Sequence, residues 1–452
     1  MPTMHDITRS TQDTDNAFYK QISMLALAFV VASIWASDAI KLLLFVLALS
    51  YLWLSRHRFR VGSIRGIGLW HRNVTARGWH AWVLALGLTL IYCFIYWKPQ
   101  LLGLGGHGQA NSGMIGFFDP LSYAINGHAA SQWFVYGFLY TWVVLVSGID
   151  FIRKYRHNRY QVYRTISVLF FQVVFAFVLP EIFVALQYPY FDLKHFWPLD
   201  YSFFFDWRMD SLLASGHVGL FLLVWGIVGF LVITPLMTWY YGKRWYCSWV
   251  CGCGALAETA GDSFRHLSDK SLLSWKIEKW TIYPILAFSI LMTVLVLYTR
   301  FTGREAFLGV ESASLSHWYG FYIGSLFSGV AGVGLYPILG NRVWCRFGCP
   351  LAAYMGLIQT FKASINFKGK KRTFQPRFRI STNGGQCISC GQCSTQCEMG
   401  IDVKSYAERG EDIIRASCVG CGICSEVCPR GVLHLELTKP IVLVGTQDMH
   451  PL

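Results

Sequence analysis

Apolar runs of about twenty residues alternate with shorter polar loops through most of the chain. Runs over residues 79–96, 133–152, 166–186, 217–240, 280–298 and 319–339 each approach the length a helix needs to cross a bilayer, about 20 residues. Residues 22–54 make one longer stretch, broken by Asp38 and Lys41, which we read as a tight hairpin of two short helices rather than one long tilted helix. The pattern predicts a mainly α fold: a polytopic transmembrane body of seven or eight helices over residues 21–340, preceded by a polar tail over 1–20. That tail lacks a cleavage-site pattern, so no signal peptide is expected.

Loop charge gives the expected orientation. Residues 55–77 carry six arginines and no acid, and residues 153–164 carry five basic residues and no acid. Both loops belong on the cytoplasmic side by the positive-inside rule. The alternating loops at 98–132, 187–216 and 300–318 hold few basic residues, and the second has four aspartates, so these are expected outside. An even number of crossings then puts both termini on the cytoplasmic side of a bacterial inner membrane, with everything after Asn341. Trp97, Trp133, Trp245 and Trp280 sit at segment ends, where amphipathic rings settle at the membrane–water interface.

Composition agrees with a lipid-embedded chain. Charged residues are 14%, against about 25% in a soluble domain, and mean hydropathy is +0.39. The net charge of +14 raises nucleic acid as a partner, but the basic residues lie in loops between apolar runs, so none is expected. Lys368, Lys370, Lys371 and Arg372, followed by Arg377 and Arg379, read as a linker drawn to anionic lipid or as a docking patch for an acidic redox partner.

Cysteine changes the picture most. Twelve of fourteen fall in CxxC or CxxxC spacings, a metal-ligand pattern. Residues 387–397 and 418–428 each read C-x2-C-x2-C-x3-C. In this bacterial ferredoxin pattern three thiolates wrap one face of a [4Fe–4S] cubane and the fourth crosses to its neighbour. Cys387, Cys390, Cys393 and Cys428 are therefore expected on one cluster, and Cys418, Cys421, Cys424 and Cys397 on the other. Zinc favours two CxxC pairs with a longer gap and does not explain two matched runs. Glu398 stands where the first run would have Pro, a change read as touching the turn and not the ligands. These runs predict a C-terminal 2[4Fe–4S] ferredoxin-like α+β domain over 381–436, with a tail over 437–452. Such a module passes single electrons, so the chain reads as a subunit of an oxidoreductase system rather than a stand-alone enzyme.

A second cysteine pattern is duplicated. Gly242-Lys-Arg-Trp-Tyr-Cys247-Ser-Trp-Val-Cys251 and Gly340-Asn-Arg-Val-Trp-Cys345-Arg-Phe-Gly-Cys349 repeat at an offset of 98 residues, each after an apolar run and before a short helical stretch. The second copy opens a segment over 341–380 that ends in the basic linker. Cysteines at i and i+4 of a helix share a face, so two copies are expected to present Cys247, Cys251, Cys345 and Cys349 to one another as a third redox or metal site. The alternative is small buried residues packing helix ends. Cys253 offers a spare ligand, and Cys93 reads as packing.

A multi-spanning segment, two aromatic-CxxxC motifs and a C-terminal double ferredoxin pattern together resemble the membrane polyferredoxins of the NapH/NosR/CcoG group, over roughly Thr234 to the end. The positions that match are Cys247, Cys251, Cys345, Cys349 with Pro350, and the eight ferredoxin cysteines; Gly252 follows the first CxxxC where that group has Pro. The resemblance implies electron transfer between cytoplasmic donors or the quinone pool and a redox partner protein, or accessory work in the maturation of a respiratory metalloenzyme. It also brings in a non-covalent flavin as a further cofactor. A quinol site needs a proton acceptor near the membrane, for which Glu181, His217 and the His107/His128 pair are candidates. Arg164 and Gln172 read as anchoring and helix packing.

Overall fold

The computed structural model describes residues 77–436 apart from 107–108, 305, 308, 369–378, 384–385, 414 and 416, together with positions 46 and 50. The N-terminal tail, nearly all of the 22–54 hairpin and the first basic loop, His107, most of the basic linker and the tail over 437–452 lie outside the described residues.

A short apolar helix, α1 (Trp79–Trp97), comes first. Four helices are long and apolar enough to cross a membrane: α2 (Gln132–Lys154), α3 (Arg159–Ala185), α4 (Gly216–Tyr241) and, after the short α5 (Gly252–Glu258), α6 (Leu272–Thr302). Helix α7 (Ser312–Trp318) runs on as a wide-turn helix over Tyr319–Gly334, and α8 (Pro350–Lys368) follows the second CxxxC turn. Of the expected seven or eight spans, four meet both length and hydropathy among the described residues, and those expected over 22–54 lie outside them.

Local chemistry sets the boundaries. Ser131 Oγ accepts the N–H of Phe134 at 3.1 Å, Asn158 Oδ1 accepts those of Tyr160 and Gln161, and Ser271 Oγ accepts that of Ser274 at 3.1 Å, so α2, α3 and α6 begin on side-chain caps. The wide turns at Phe171–Val178, Gly229–Ile233 and Tyr319–Gly334 each come just before a proline: Pro180, Pro235 and Pro337. Proline cannot donate to the helix and its ring crowds the carbonyl one turn back; a wider turn makes room.

The cysteine-rich segment is closed by an antiparallel strand pair, Arg379–Thr382 with Leu433–Glu436, in a register running from Arg379↔Glu436 to Thr382↔Leu433. It shares one apolar core with the helices: Ile282, Leu286, Trp344 and Met355 pack in the same cluster as Ile380, Met399, Ile401 and Val419. The basic loop at 153–164 lies against it. His157 and Asn158 hold the Glu426 carboxylate, Tyr160 Oη donates to Gly420 O at 3.0 Å, and Gln161 Nε2 donates to Cys421 O at 2.7 Å.

Each duplicated turn opens on a glycine in a backbone region almost closed to other residues, Gly242 at φ 71°, ψ 178° and Gly340 at φ 92°, ψ 176°. A Cβ on Gly340 would stand 2.7 Å from Ser268 N. Gly303 also has positive φ, but nothing lies within 4 Å of its Cβ position. Gly303→Ala is expected to cost about 1 kcal/mol and Gly340→Ala about 3 kcal/mol or more. Thermal midpoints of the detergent-solubilised protein check this; equal shifts would contradict it.

Candidate functional site

The two CxxxC turns have the same hydrogen-bond pattern. Gly242 N–H donates to Thr238 O at 2.9 Å and Gly340 N–H to Tyr336 O at 3.1 Å. Cys251 N–H donates to Tyr246 O at 2.8 Å and Cys349 N–H to Trp344 O at 2.9 Å, five residues back in each copy. Cys251 and Cys349 are themselves extended, at φ −68°, ψ 129° and φ −77°, ψ 111°, immediately ahead of α5 and α8. The expected single helical face for each pair is therefore corrected. The chain leaves the helix in a wide turn between the two thiols.

That turn directs the thiols of both copies into one space. Cys247, Cys251, Cys253, Cys345 and Cys349 line one small cavity, with residues that include Tyr246, Arg342, Trp344 and Met355. Cys397, Cys418, Cys421 and Cys424 line a second, together with Glu398. Cys387, Cys390, Cys393 and Cys428 line a third. The duplicated turns thus gather their thiols around a small space, as the ferredoxin-type runs do. Among the described residues no three His, Cys, Asp or Glu side chains are gathered so as to hold a single metal ion. The thiols surround a volume instead of converging on a point.

Backbone donors reach some of the sulfurs: Ile401 N–H to Cys397 Sγ and Ala352 N–H to Cys349 Sγ, both at 3.4 Å. Burial pushes the Cys247 thiol up to about 12, Cys397 to about 11 and Cys421 to about 12. Thiolates there call for a compensating positive charge, which a metal supplies. Cys251 and Cys428 run the other way: the neighbouring Cys253 holds the Cys251 thiol below its ordinary range, and at Cys428 burial is outweighed by the backbone N–H groups of residues 430–433.

Arg342 lines the first cavity and Glu398 the second. They belong to a knot of Arg164, Arg265, Arg342, Glu258 and Glu398, none more than 2% exposed. Arg342 Nη2 lies 2.6 Å from Glu258 Oε1 and 2.9 Å from Glu398 Oε1. Arg342 Nη1 lies 3.3 Å from Cys247 O and 3.8 Å from Cys345 Sγ. Arg265 Nη1 reaches Glu398 Oε2 and its Nε reaches Asp262 Oδ1, both at 2.7 Å, while Arg164 Nη1 meets Glu258 Oε1 at 2.5 Å. Burial works against the ionised form of Glu398, but Arg265, Arg342 and Arg164 outweigh it and hold its carboxyl below the ordinary range. Two buried N–H groups, Arg342 Nε and its repeat counterpart's Arg244 Nη1, have no protein acceptor among the described residues. Orphaned donors beside thiol-lined cavities fit a group rich in sulfur acceptors.

Toward the other ends of α1 and α6, beside α7, lies an open cavity of about 500 Å³, lined by Tyr96, Trp97, Tyr201, Trp207, His317 and Phe321 among others. A column of rings runs from it: Trp97 to Tyr92 at 6.0 Å, Tyr92 to Tyr136 at 6.3 Å, and Tyr136 to Tyr140 at 6.0 Å between centroids. Tyr140 Oη stands 3.7 Å from the Cβ position of Gly252, between Cys251 and Cys253. Among the described residues, the proton-acceptor candidates Glu181, His128 and His217 do not line this cavity. Glu181 is buried, accepting from Asn126 Nδ2 at 2.6 Å, while His128 and His217 are exposed. Cys93 is half-buried in α1. Gln172 donates to Thr141 Oγ1 at 3.1 Å, and its Oε1 stands 2.8 Å from the Gly252 Cβ position.

Sequence reasoning missed the knot. Glu398 was read as a turn change and Arg164 as packing, whereas both are paired charges beside cysteines. One signal was present: Arg244 and Arg342 occupy the same place in the two copies of the turn.

Two segments match known families: residues 222–277 match a 4Fe-4S binding domain and residues 345–433 match a 4Fe-4S dicluster domain. Every cysteine except Cys93 falls in one of them. The chain is 26% identical over 203 residues to the Escherichia coli (strain K12) protein named "Putative electron transport protein YccM", a stretch covering 42% of this chain and 49% of that relative. The chain thus spans about half the length of the curated relative it matches. No solved structure matches.

Removing Arg265 would leave Asp262 and Glu398 short of a partner in the interior. Arg265→Met is expected to cost about 3–5 kcal/mol. Arg300→Met, which breaks the exposed pairs with Asp206 and Asp210, is expected to cost under about 1 kcal/mol. Thermal midpoints in detergent compare the two, and similar losses would count against a stabilising knot.

Proposed function

We propose that the protein is an integral-membrane iron–sulfur electron carrier with three redox centres. Cys387, Cys390, Cys393 and Cys428 would hold one [4Fe–4S] cluster, Cys418, Cys421, Cys424 and Cys397 a second, and Cys247, Cys251, Cys345 and Cys349 a third iron–sulfur or metal centre. The observation that carries this reading is the set of three small cavities, each lined by at least four thiols. Clusters of this kind, when bound, store and pass single electrons. The 4Fe-4S families matched at both cysteine regions and the name of the E. coli relative support it.

The chain's own residues grade the centres by access to water. Cys390 is exposed and Ile388 is 55% exposed, which offers the outer set to a redox partner protein. Cys247, Cys251, Cys345 and Cys349 are no more than 8% exposed, which shields the set at the helix ends. Arginine-rich loop 153–164 meets the cysteine-rich segment at one end of the helices, which supports a cytoplasmic position for that end. The open aromatic cavity at the far end has the lining for a quinone ring in contact with membrane lipid. A second reading, an accessory factor that reduces metal or thiols in an assembling respiratory enzyme, is favoured by the close spacing of Cys251 and Cys253, which line one cavity.

Anaerobically purified protein is expected to contain about twelve iron atoms per chain if all three are cubanes, and Cys345→Ser should bring this to about eight. Zinc in place of iron, or iron unaffected by Cys345→Ser, would count against the assignment. Cys253→Ser should leave the iron content unchanged; loss of partner maturation in that variant alone would favour the accessory reading. A fluorescent protein that matures only in the cytoplasm, fused at the C-terminus, should fluoresce; a dark fusion at normal expression would reverse the orientation.

A further inference from the structure

We propose that the buried Arg342–Glu398 ion pair tunes the two cysteine sets it joins in opposite directions. Arg342 eases reduction at Cys247, Cys251, Cys345 and Cys349, and Glu398 resists it at Cys397, Cys418, Cys421 and Cys424. The inference rests on the reading that both sets hold redox centres.

The geometry gives each partner a separate site. Arg342 Nη1 points toward Cys345 Sγ at 3.8 Å, and its Nε is buried without a protein acceptor. Glu398 follows Cys397 in the chain, lines the second cavity and is fully buried. Both meet at one 2.9 Å contact. A centre that gains an electron becomes more negative. A guanidinium that donates toward its thiolate ligand favours the reduced form, and a carboxylate beside the ligand disfavours it. Low dielectric surroundings strengthen both effects, because water screens neither charge. The sequence supplies Glu at a position where proline, which carries no charge, is usual for this cysteine run.

Redox titration of the whole protein in detergent, followed by electron paramagnetic resonance, tests the pair. Iron is measured first. In Arg342→Gln the centre at the duplicated turns should be about tenfold less reduced at a fixed potential, a downward shift of about 59 mV for one electron. In Glu398→Gln the Cys397 set should shift upward by a similar factor. Arg342→Lys, which keeps the charge, should recover most of the first shift; if Arg342→Gln does not fold, the upward shift in Glu398→Gln carries the test, and its absence in folded protein overturns the proposal. Wild-type iron near eight per chain would defeat the three-centre reading itself. Iron near twelve with both potentials unmoved, even if melting falls in every variant, would leave the reading intact and show the pair to be a latch only.

Discussion

Three guanidinium groups and two carboxylates meet out of reach of water where the helices join the cysteine-rich segment. Charges taken from water lose several kcal/mol of hydration each, and only close, well-oriented partners restore it. The five residues come from five places: Arg164 from α3, Glu258 from α5, Arg265 from the turn after it, Arg342 from the second duplicated turn and Glu398 from the first ferredoxin-type run. Satisfying all of them at once leaves little freedom in how these segments sit together. The relative placement of the two thiol-lined spaces follows from that constraint.

The duplication at the helix ends extends to what each copy touches. In the first copy Ser248 Oγ donates to Val419 O at 2.8 Å, and the Arg244 side chain packs against Gly420, whose Cβ position is 2.4 Å from Arg244 Nε. In the second copy the equivalent positions are Arg346 and Arg342. Arg346 Nη1 stands 2.4 Å from the Gly400 Cβ position, and Arg342 holds Glu398. Residues 398–400 and 419–420 flank the same four cysteines, Cys397, Cys418, Cys421 and Cys424. The two copies therefore grip one cysteine set from both sides, and each supplies two side chains four residues apart.

Patterns local to the sequence were legible. The spacing within 387–397 and 418–428 needs no long-range information, because the chain itself brings neighbouring thiols together. Apolar runs located α1, α2, α4 and the middle of α6, although α6 extends beyond its run to 31 residues from a Ser271 cap. What was not legible depends on distant contacts. Residues 164, 258 and 265 carry no motif, Arg342 and Glu398 sit in motifs that say nothing of their pairing, and only folding assembles the five. The single-face reading of CxxxC failed for a local reason: a five-residue-back hydrogen bond replaces the ordinary helical one, and nothing in Tyr246–Cys251 announces it. The acceptor candidates were chosen for charge near a membrane, whereas the open cavity is lined by six aromatic residues together with Asp206 and His317, which no sequence pattern singles out.

The chamber at the duplicated turns bears on how the protein holds together. Its walls come from both repeats, and the cysteine-rich segment shares the apolar core that packs over it. A single occupant of that chamber would cross-link two stretches of chain 98 residues apart, so its retention and the mutual docking of the repeats stand or fall together.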